Sequence, residues 1–117
     1  MAEFSTSINE KGDISVINLK GYLDAHTAPI LENNFVSLID KNRFKIVVDF
    51  KDLAYISSAG LGVFMAFIEK IRDGRGDIKL AGMNDKVYNI FDLLGFPLLY
   101  EIFHTEDEAI NKFVENK

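Results

Sequence analysis

Two adjacent serines, Ser57 and Ser58, have the clearest potential for chemistry in this sequence. An apolar strand pattern precedes them, and the small or apolar residues Ala59, Gly60 and Leu61 follow and open a helical pattern. The first N–H groups of a helix are unpaired and carry partial positive charge, so a hydroxyl there can cap the helix and a phosphate there is stabilised. The junction is therefore interpreted as an N-cap, as a phosphorylation site, or as both.

Other candidate reactive groups do not form a catalytic pattern. Asp24 and Asp49 could be paired carboxylates for acid–base work or magnesium binding, but such residues more often end strands, cap loops or meet a partner. His26 and His104 are far apart and have no companions at metal-ligand spacing. Ser58 lacks the glycine-x-serine-x-glycine elbow, and no histidine is placed as its base. The sequence predicts a protein that is not an enzyme and that has no cofactor and no metal.

Composition and charge narrow the class of partner. The net charge is −5, and no concentration of Lys and Arg is present that could bind nucleic acid. The chain has no cysteine, which excludes disulfides and thiolate metal sites. It also shows no secretory signal pattern and no apolar run of the roughly 18 residues that cross a bilayer. We expect a soluble cytoplasmic protein that contacts neither nucleic acid nor membrane directly.

Alternating periodicities predict the elements that position the serines. Strand patterns cover residues 4–9, 14–19, 44–50, 77–81 and 102–103, and helical patterns cover residues 27–40, 58–72, 86–94 and 105–114. Gly21 is expected to end the second strand, Thr27 to cap the first helix, and a short loop to precede Ser57. Thr105 and Glu108 have capping-box spacing. The prediction is one domain over residues 1–117, an α/β fold with a mixed sheet of about five strands covered by about four helices.

Two apolar segments allow both a core and a surface interpretation. Gly62, Phe64, Phe67 and Ile71 could form a patch for a partner helix, although helical spacing of this kind is more typical of core. Residues 96–100, Phe-Pro-Leu-Leu-Tyr, either fold onto the sheet edge or form a contact surface.

The segment from Asp49 through Tyr55 to Val63 resembles the signature of the STAS family, whose members include bacterial anti-sigma factor antagonists. Residues 21–24 resemble the family's glycine-x-leucine-aspartate, and residues 93–109 resemble its C-terminal pattern. The family's phosphorylated serine precedes glycine by two positions. That position is Ser58 here, with Ser57 as the alternative. The family usually has aspartate immediately before this serine, whereas this chain has Ser57.

The resemblance implies an anti-sigma factor antagonist that works by partner switching. The unphosphorylated protein, a monomer when free, would bind an anti-sigma factor that is a serine kinase of the histidine-kinase-like ATPase type. Phosphorylation of Ser58 would release it, and a serine phosphatase would reset the cycle. The implied partner surface comprises Asp24, His26, Thr27, Ser57, Ser58, Ala59, Gly60 and Leu61, with the exposed face of the following helix. The alternatives are a STAS scaffold or signalling component that does not act on a sigma factor, and a small-ligand-binding or enzymatic STAS protein.

Overall fold

A computed structural model of the chain describes residues 4–115. The elements are β1 (Ser5–Lys11), β2 (Ile14–Leu23), α1 (Ala28–Asp40), β3 (Lys45–Ile56), α2 (Ser58–Asp73), β4 (Asp77–Ala81), α3 (Asp85–Leu93), a 3-10 helix (Phe96–Leu98), β5 (Ile102–Phe103) and α4 (Glu106–Glu115). The strands lie in the order β1-β2-β3-β4-β5; β1 is antiparallel to β2 and the other pairs are parallel. The predicted mixed sheet of five strands with four helices is confirmed within residues 4–115, whereas the predicted domain 1–117 extends beyond them at both ends.

Helices cover the two faces of the sheet unequally. The larger core lies under α1, α2 and α3, where Phe35, Phe64 and Phe91 meet the buried side chains of β2, β3 and β4. The smaller core lies under α4, where Ala109 and Phe113 contact the other face of the same strands. Successive parallel strands joined by helices on one face are the usual consequence of right-handed crossovers. The single remaining helix covers only part of the second face.

Strands β2 and β3 both extend beyond their predicted ends. Gly21 does not end β2: it has φ +96° and lies inside the strand, beside a register shift at Gly21/Tyr22. The segment that was predicted as a loop before Ser57 is instead the last part of β3. Leu53 and Ile56 are buried there, so the extension is held by their packing. Lys51 and Asp52, which precede them, are exposed and gave the segment a loop-like composition.

Local capping signals in the C-terminal half are confirmed. Thr105 and Glu108 form the predicted capping box: the Glu108 N–H donates to Thr105 Oγ1 at 3.2 Å, and the Thr105 N–H donates to Glu108 Oε1 at 3.1 Å. Asn84 accepts from the Val87 N–H at 2.8 Å and so caps α3. Gly95 adopts φ +76° directly after this helix and ends it.

An aromatic cluster fills the centre of the larger core. Phe64 lies in edge or stacked contact with Phe35, Phe50, Phe91 and Tyr100. Phe64 and Ile71 are buried and Phe67 stacks on Phe35, so the core interpretation of that set is confirmed, while Gly62 faces solvent.

Residues 96–100 divide between the two predicted roles. Phe96 and Tyr100 are buried, and the Tyr100 hydroxyl donates to the Phe64 carbonyl at 2.7 Å. Leu98 and Leu99 are exposed. The segment therefore closes the core with its end residues and leaves its middle on the surface.

Candidate functional site

The carboxyl ends of β2 and β3 bring the predicted site residues together. Leu23 and Ile56 are partners in the parallel register, and the Ser57 N–H donates to the Leu23 carbonyl at 2.9 Å. The chain leaves β2 through residues 24–27, here called the aspartate loop, and leaves β3 through residues 57–61, here called the serine turn. These two segments are adjacent because the two strands end at the same level.

Asp24 and Thr27 close the aspartate loop on itself. Asp24 Oδ1 accepts from the N–H groups of His26 and Thr27, at 3.0 Å and 3.1 Å. Thr27 Oγ1 accepts from the Asp24 N–H and donates to the Tyr22 carbonyl, each at 2.9 Å. Thr27 occupies the predicted N-cap position of α1, but its hydroxyl bonds back to the loop and makes no capping bond. Asp24 instead accepts from the N–H groups just before the helix. Its main-chain carbonyl also accepts from the Ala28 N–H at 2.8 Å.

In the serine turn the two hydroxyls have different environments. Ser57 has extended backbone angles (φ −100°, ψ 174°) and caps α2, its Oγ accepting from the Gly60 N–H at 3.4 Å. Ser58 is the first residue of the helix and is exposed. Its side chain makes no hydrogen bond to any residue in the range 4–115. Ser57 thus has a structural role, whereas the Ser58 hydroxyl is free for a second protein.

Gly60 allows α2 to begin directly against the strand ends. A Cβ at this position would lie 2.8 Å from Leu23 Cγ, 2.9 Å from Ile56 Cγ1 and 3.1 Å from the Leu23 carbonyl oxygen. Real Cβ atoms avoid such distances, so only glycine fits without displacement. The close approach fixes the serine turn relative to the aspartate loop.

The eight predicted partner residues therefore form one cluster but are not equally accessible. His26 and Ser58 are exposed, Asp24, Thr27, Ser57 and Ala59 are half-buried, and Gly60 and Leu61 are buried. The Leu61 side chain is only 5% exposed and belongs to the larger core, so it stabilises the turn from beneath. The accessible part of the cluster is the rim of the two segments around Ser58.

Asp49 does not join this site. Asp49 is the register partner of Asn18, which precedes Asp24 by a length of strand of roughly 20 Å. The carboxylates of Asp24 and Asp49 therefore do not form a catalytic pair. Asp49 is 9% exposed and accepts from the Lys51 N–H at 2.9 Å. Burial raises the pKa of Asp49 above its ordinary value of 3.8, the Lys51 N–H lowers it, and the facing carboxyl of Glu106 raises it further.

The raised pKa of Asp49 gives a stability prediction. An acid whose folded pKa exceeds its unfolded pKa stabilises the protein below the unfolded value, and this contribution is lost as the pH rises through the folded value. Asp49→Asn removes the buried charge and keeps an oxygen for the Lys51 N–H. We expect the variant to melt above the wild-type protein at pH 7 and the difference to shrink on acidification towards pH 4. Thermal unfolding at both pH values measures this.

Asp52→Asn is the matched control for that measurement, because Asp52 is an exposed carboxylate of the same strand. A difference between Asp49→Asn and wild type that grows on acidification would contradict the assignment of a destabilising buried charge.

The two histidines and the acidic residues form no metal site in the part of the chain that is described. His26 and His104 are exposed, one in the aspartate loop and the other after β5. Within residues 4–115, no group of three or more His, Cys, Asp or Glu side chains is arranged to hold an ion. Among the helices of residues 4–115, none combines the length and the apolar composition of a membrane span.

Sequence reasoning missed two exposed aromatic residues beside the site. Tyr22 and Tyr55 are register partners one step before Leu23 and Ile56, and their rings are 5.8 Å apart. They are 45% and 44% exposed. Tyr55 lay in the segment predicted as a loop, so its position opposite Tyr22 could not be inferred before the length of β3 was known.

Comparisons with known proteins agree with this architecture. A sequence model of the STAS domain family matches residues 5–109. The chain is 29% identical over 92 residues to an anti-sigma-B factor antagonist of Bacillus subtilis (strain 168), which covers 79% of this chain and 83% of that protein.

Solved structures share the fold over nearly the whole chain. An anti-sigma factor antagonist from Mycobacterium paratuberculosis superposes with a TM-score of 0.86 at 22% identity, covering 94% of this chain and 93% of that one. The Bacillus cell fate determinant SpoIIAA in its phosphorylated form superposes with a TM-score of 0.74 at 21% identity, covering 93% of this chain and 99% of that one.

Proposed function

The chain belongs to the STAS domain family, and from this premise we propose that it is an anti-sigma factor antagonist controlled by phosphorylation of Ser58. The observation that carries the proposal is an exposed, unbonded hydroxyl at the first position of α2, framed by the aspartate loop. The anti-sigma-B factor antagonist of Bacillus subtilis supports the class of partner, and the phosphorylated form of SpoIIAA supports the kind of switch.

The proposed partner is an anti-sigma factor that is also a serine kinase of the histidine-kinase-like ATPase type. The unphosphorylated protein binds it across the aspartate loop, the serine turn and the exposed face of α2. The kinase then transfers the γ-phosphoryl group of ATP to Ser58 Oγ, which loses its proton, and ADP is formed. A serine phosphatase hydrolyses the phosphoserine. The protein acts in the cytoplasm as a regulatory binding module rather than as an enzyme.

The position of Ser58 explains how one phosphate separates the complex without unfolding the protein. A phosphoserine carries about −1.5 to −2 charges at pH 7, and the N-terminal end of a helix favours negative charge. The folded domain therefore tolerates the phosphate. The complex with the partner does not tolerate the phosphate. A charge that is buried at an interface without neighbouring basic groups is repelled and loses its hydration.

Ser57 keeps the turn intact where the family usually has aspartate. Serine and aspartate are both good N-caps, so the substitution preserves the bond to the Gly60 N–H while removing a charge next to the acceptor hydroxyl. Phosphorylating Ser57 would place the modification on the capping oxygen itself. We therefore assign the modification to Ser58.

Site mapping tests the proposal directly. Purified protein is incubated with ATP and the histidine-kinase-like anti-sigma factor, and the phosphorylated peptide is sequenced by mass spectrometry. We expect one phosphate, on Ser58, with Ser57→Ala still modified and Ser58→Ala unmodified.

The outcome that would overturn the assignment is a phosphate on Ser57 alone. Modification of neither serine by any such kinase would overturn the proposed function. Ser37, an exposed serine of α1, is the matched control, because Ser37→Ala should leave the extent of phosphorylation unchanged.

A further inference from the structure

Helix α4 covers only part of the second face of the sheet. Ile14, Val16 and Val47 are buried beneath Ala109 and Phe113. Beyond this contact the strands continue to Leu23 and Ile56, and the side chains on the same face become exposed. We call this region the extension surface, and it consists of Lys20, Tyr22, Asp52 and Tyr55. It is a piece of sheet face that no described helix covers.

The centre of the extension surface is the Tyr22–Tyr55 ring pair. The two residues are direct partners across β2 and β3, and the ring planes are tilted by 39°. Lys20 and Asp52 are partners two register positions before the tyrosines, so a positive and a negative side chain border the rings on one side. Tyrosine has few side-chain torsions, and each ring here is held by the other. Binding to this pair would thus cost little conformational entropy.

The extension surface continues into the switch. The Tyr22 carbonyl accepts from Thr27 Oγ1 at 2.9 Å, which ties Tyr22 to the aspartate loop. Tyr55 is three residues before Ser58, so their Cα atoms are within about 11 Å. A standard interface measures roughly 800 Å² per partner. An interface of this area centred on Ser58 has a radius of about 16 Å and therefore reaches Tyr55.

We propose that the anti-sigma partner docks on the Tyr22–Tyr55 pair as well as on the serine turn. This inference rests on the proposed function and assigns separate roles to the two parts of the interface. The tyrosine pair provides affinity in both phosphorylation states, and phosphorylation of Ser58 causes release. Tyrosines in contact near the centre of an interface are typical hot spots. The complementary surface on the partner is an apolar or guanidinium side chain over the rings, with opposite charges facing Lys20 and Asp52.

A purely structural role for the pair makes a different prediction. Cross-strand aromatic pairs stabilise sheets, so the tyrosines could serve only to hold the extended ends of β2 and β3. In that case removal of the rings would lower the melting temperature. The affinity for the partner would then decrease only in proportion to the fraction of protein that is unfolded. Affinity and stability must therefore be measured on the same variants.

The test is calorimetric titration of the Tyr22→Ala/Tyr55→Ala double variant with the kinase that phosphorylates Ser58. We expect Kd to rise at least roughly tenfold. Adding Ser58→Asp to the double variant should weaken binding by the same factor as in the wild-type background. Tyr22→Phe/Tyr55→Phe keeps the rings and should bind within about threefold of wild type.

Tyr88→Ala is the matched control, because Tyr88 is a similarly exposed tyrosine, on α3 and outside the extension surface. Asp52→Lys tests the same surface without removing a ring, and it too should weaken binding. If the tyrosine and Asp52 variants bind like Tyr88→Ala while Ser58→Asp still weakens binding, the inference is wrong and the switch stands. If the wild-type protein does not bind the kinase at all, both proposals fail.

Discussion

Replacing Ser58 by aspartate is expected to weaken binding of the anti-sigma partner at least about 30-fold, roughly 2 kcal/mol. The side chain is exposed at the start of α2, where the complex would enclose it. A carboxylate at this position loses its hydration when the complex forms. It also faces a partner surface that is complementary to a neutral hydroxyl. Ser58→Ala, which removes only the hydroxyl, should bind about as tightly as wild type and should stay bound in the presence of ATP.

Ser58→Asn separates charge from shape in this experiment. Asparagine has nearly the volume of aspartate but no charge, so it should bind closer to alanine than to aspartate. All three variants should fold, because aspartate in the first turn of a helix is favoured by the dipole and the capping bond of Ser57 is untouched. Equal affinities for Asp and Asn, measured by calorimetry, would show that negative charge at this position is not the switch.

The parts of the fold that follow from local chemistry were predictable from the sequence. Strand β4 and the capping box of Thr105 and Glu108 depend on side chains a few residues apart, and both are confirmed. The serine turn was predictable for the same reason, since a capping hydroxyl followed by small residues favours a helix start. Local patterns therefore placed Ser58 correctly at the junction of strand and helix.

The parts that failed depend on contacts between distant residues. Lys51 and Asp52 gave β3 an early apparent end, but β2 pairs with the strand as far as Leu23 and Ile56. Polar residues are tolerated there because their face of the sheet is not covered by a helix. The pairing of Tyr22 with Tyr55 depends on two register shifts and could not be read from either segment alone.

The hydrogen bonds of the aspartate loop also could not be predicted from the local sequence. Thr27 stands where an N-cap is expected, and Asp24 stands three residues earlier. Either residue type can cap a helix, so spacing alone could not choose between them. The structure decides because the Thr27 hydroxyl reaches back to the Tyr22 carbonyl, which leaves Asp24 to satisfy the N–H groups of the loop.

The second large effect is expected on the free energy of unfolding when Gly60 is replaced by alanine. Gly62, in the same helix, is the matched control position. An added Cβ at Gly60 meets Leu23 and Ile56 at less than contact distance, whereas nothing lies within 4 Å of one at Gly62. Alanine gains about 0.5–1 kcal/mol of helix propensity over glycine at either position. At Gly60, overpacking costs about 1–3 kcal/mol against this gain.

We therefore expect Gly62→Ala to be stabilised and Gly60→Ala to be destabilised, with a difference of about 1–3 kcal/mol between the two variants. Urea denaturation of both proteins measures it. Helix propensity cancels in the comparison, so the difference reports only the contact of α2 with the strand ends.

Gly60→Ala should also weaken partner binding, because Leu23 and Ile56 cannot move without shifting the aspartate loop relative to Ser58. Gly62→Ala is the reference for stability only, because Gly62 lies on the exposed face of α2 that the partner is proposed to contact. Equal stabilities for the two alanine variants would mean that α2 does not press on the strand ends. The close contact that fixes the serine turn relative to the aspartate loop would then no longer explain why the two segments form one docking surface.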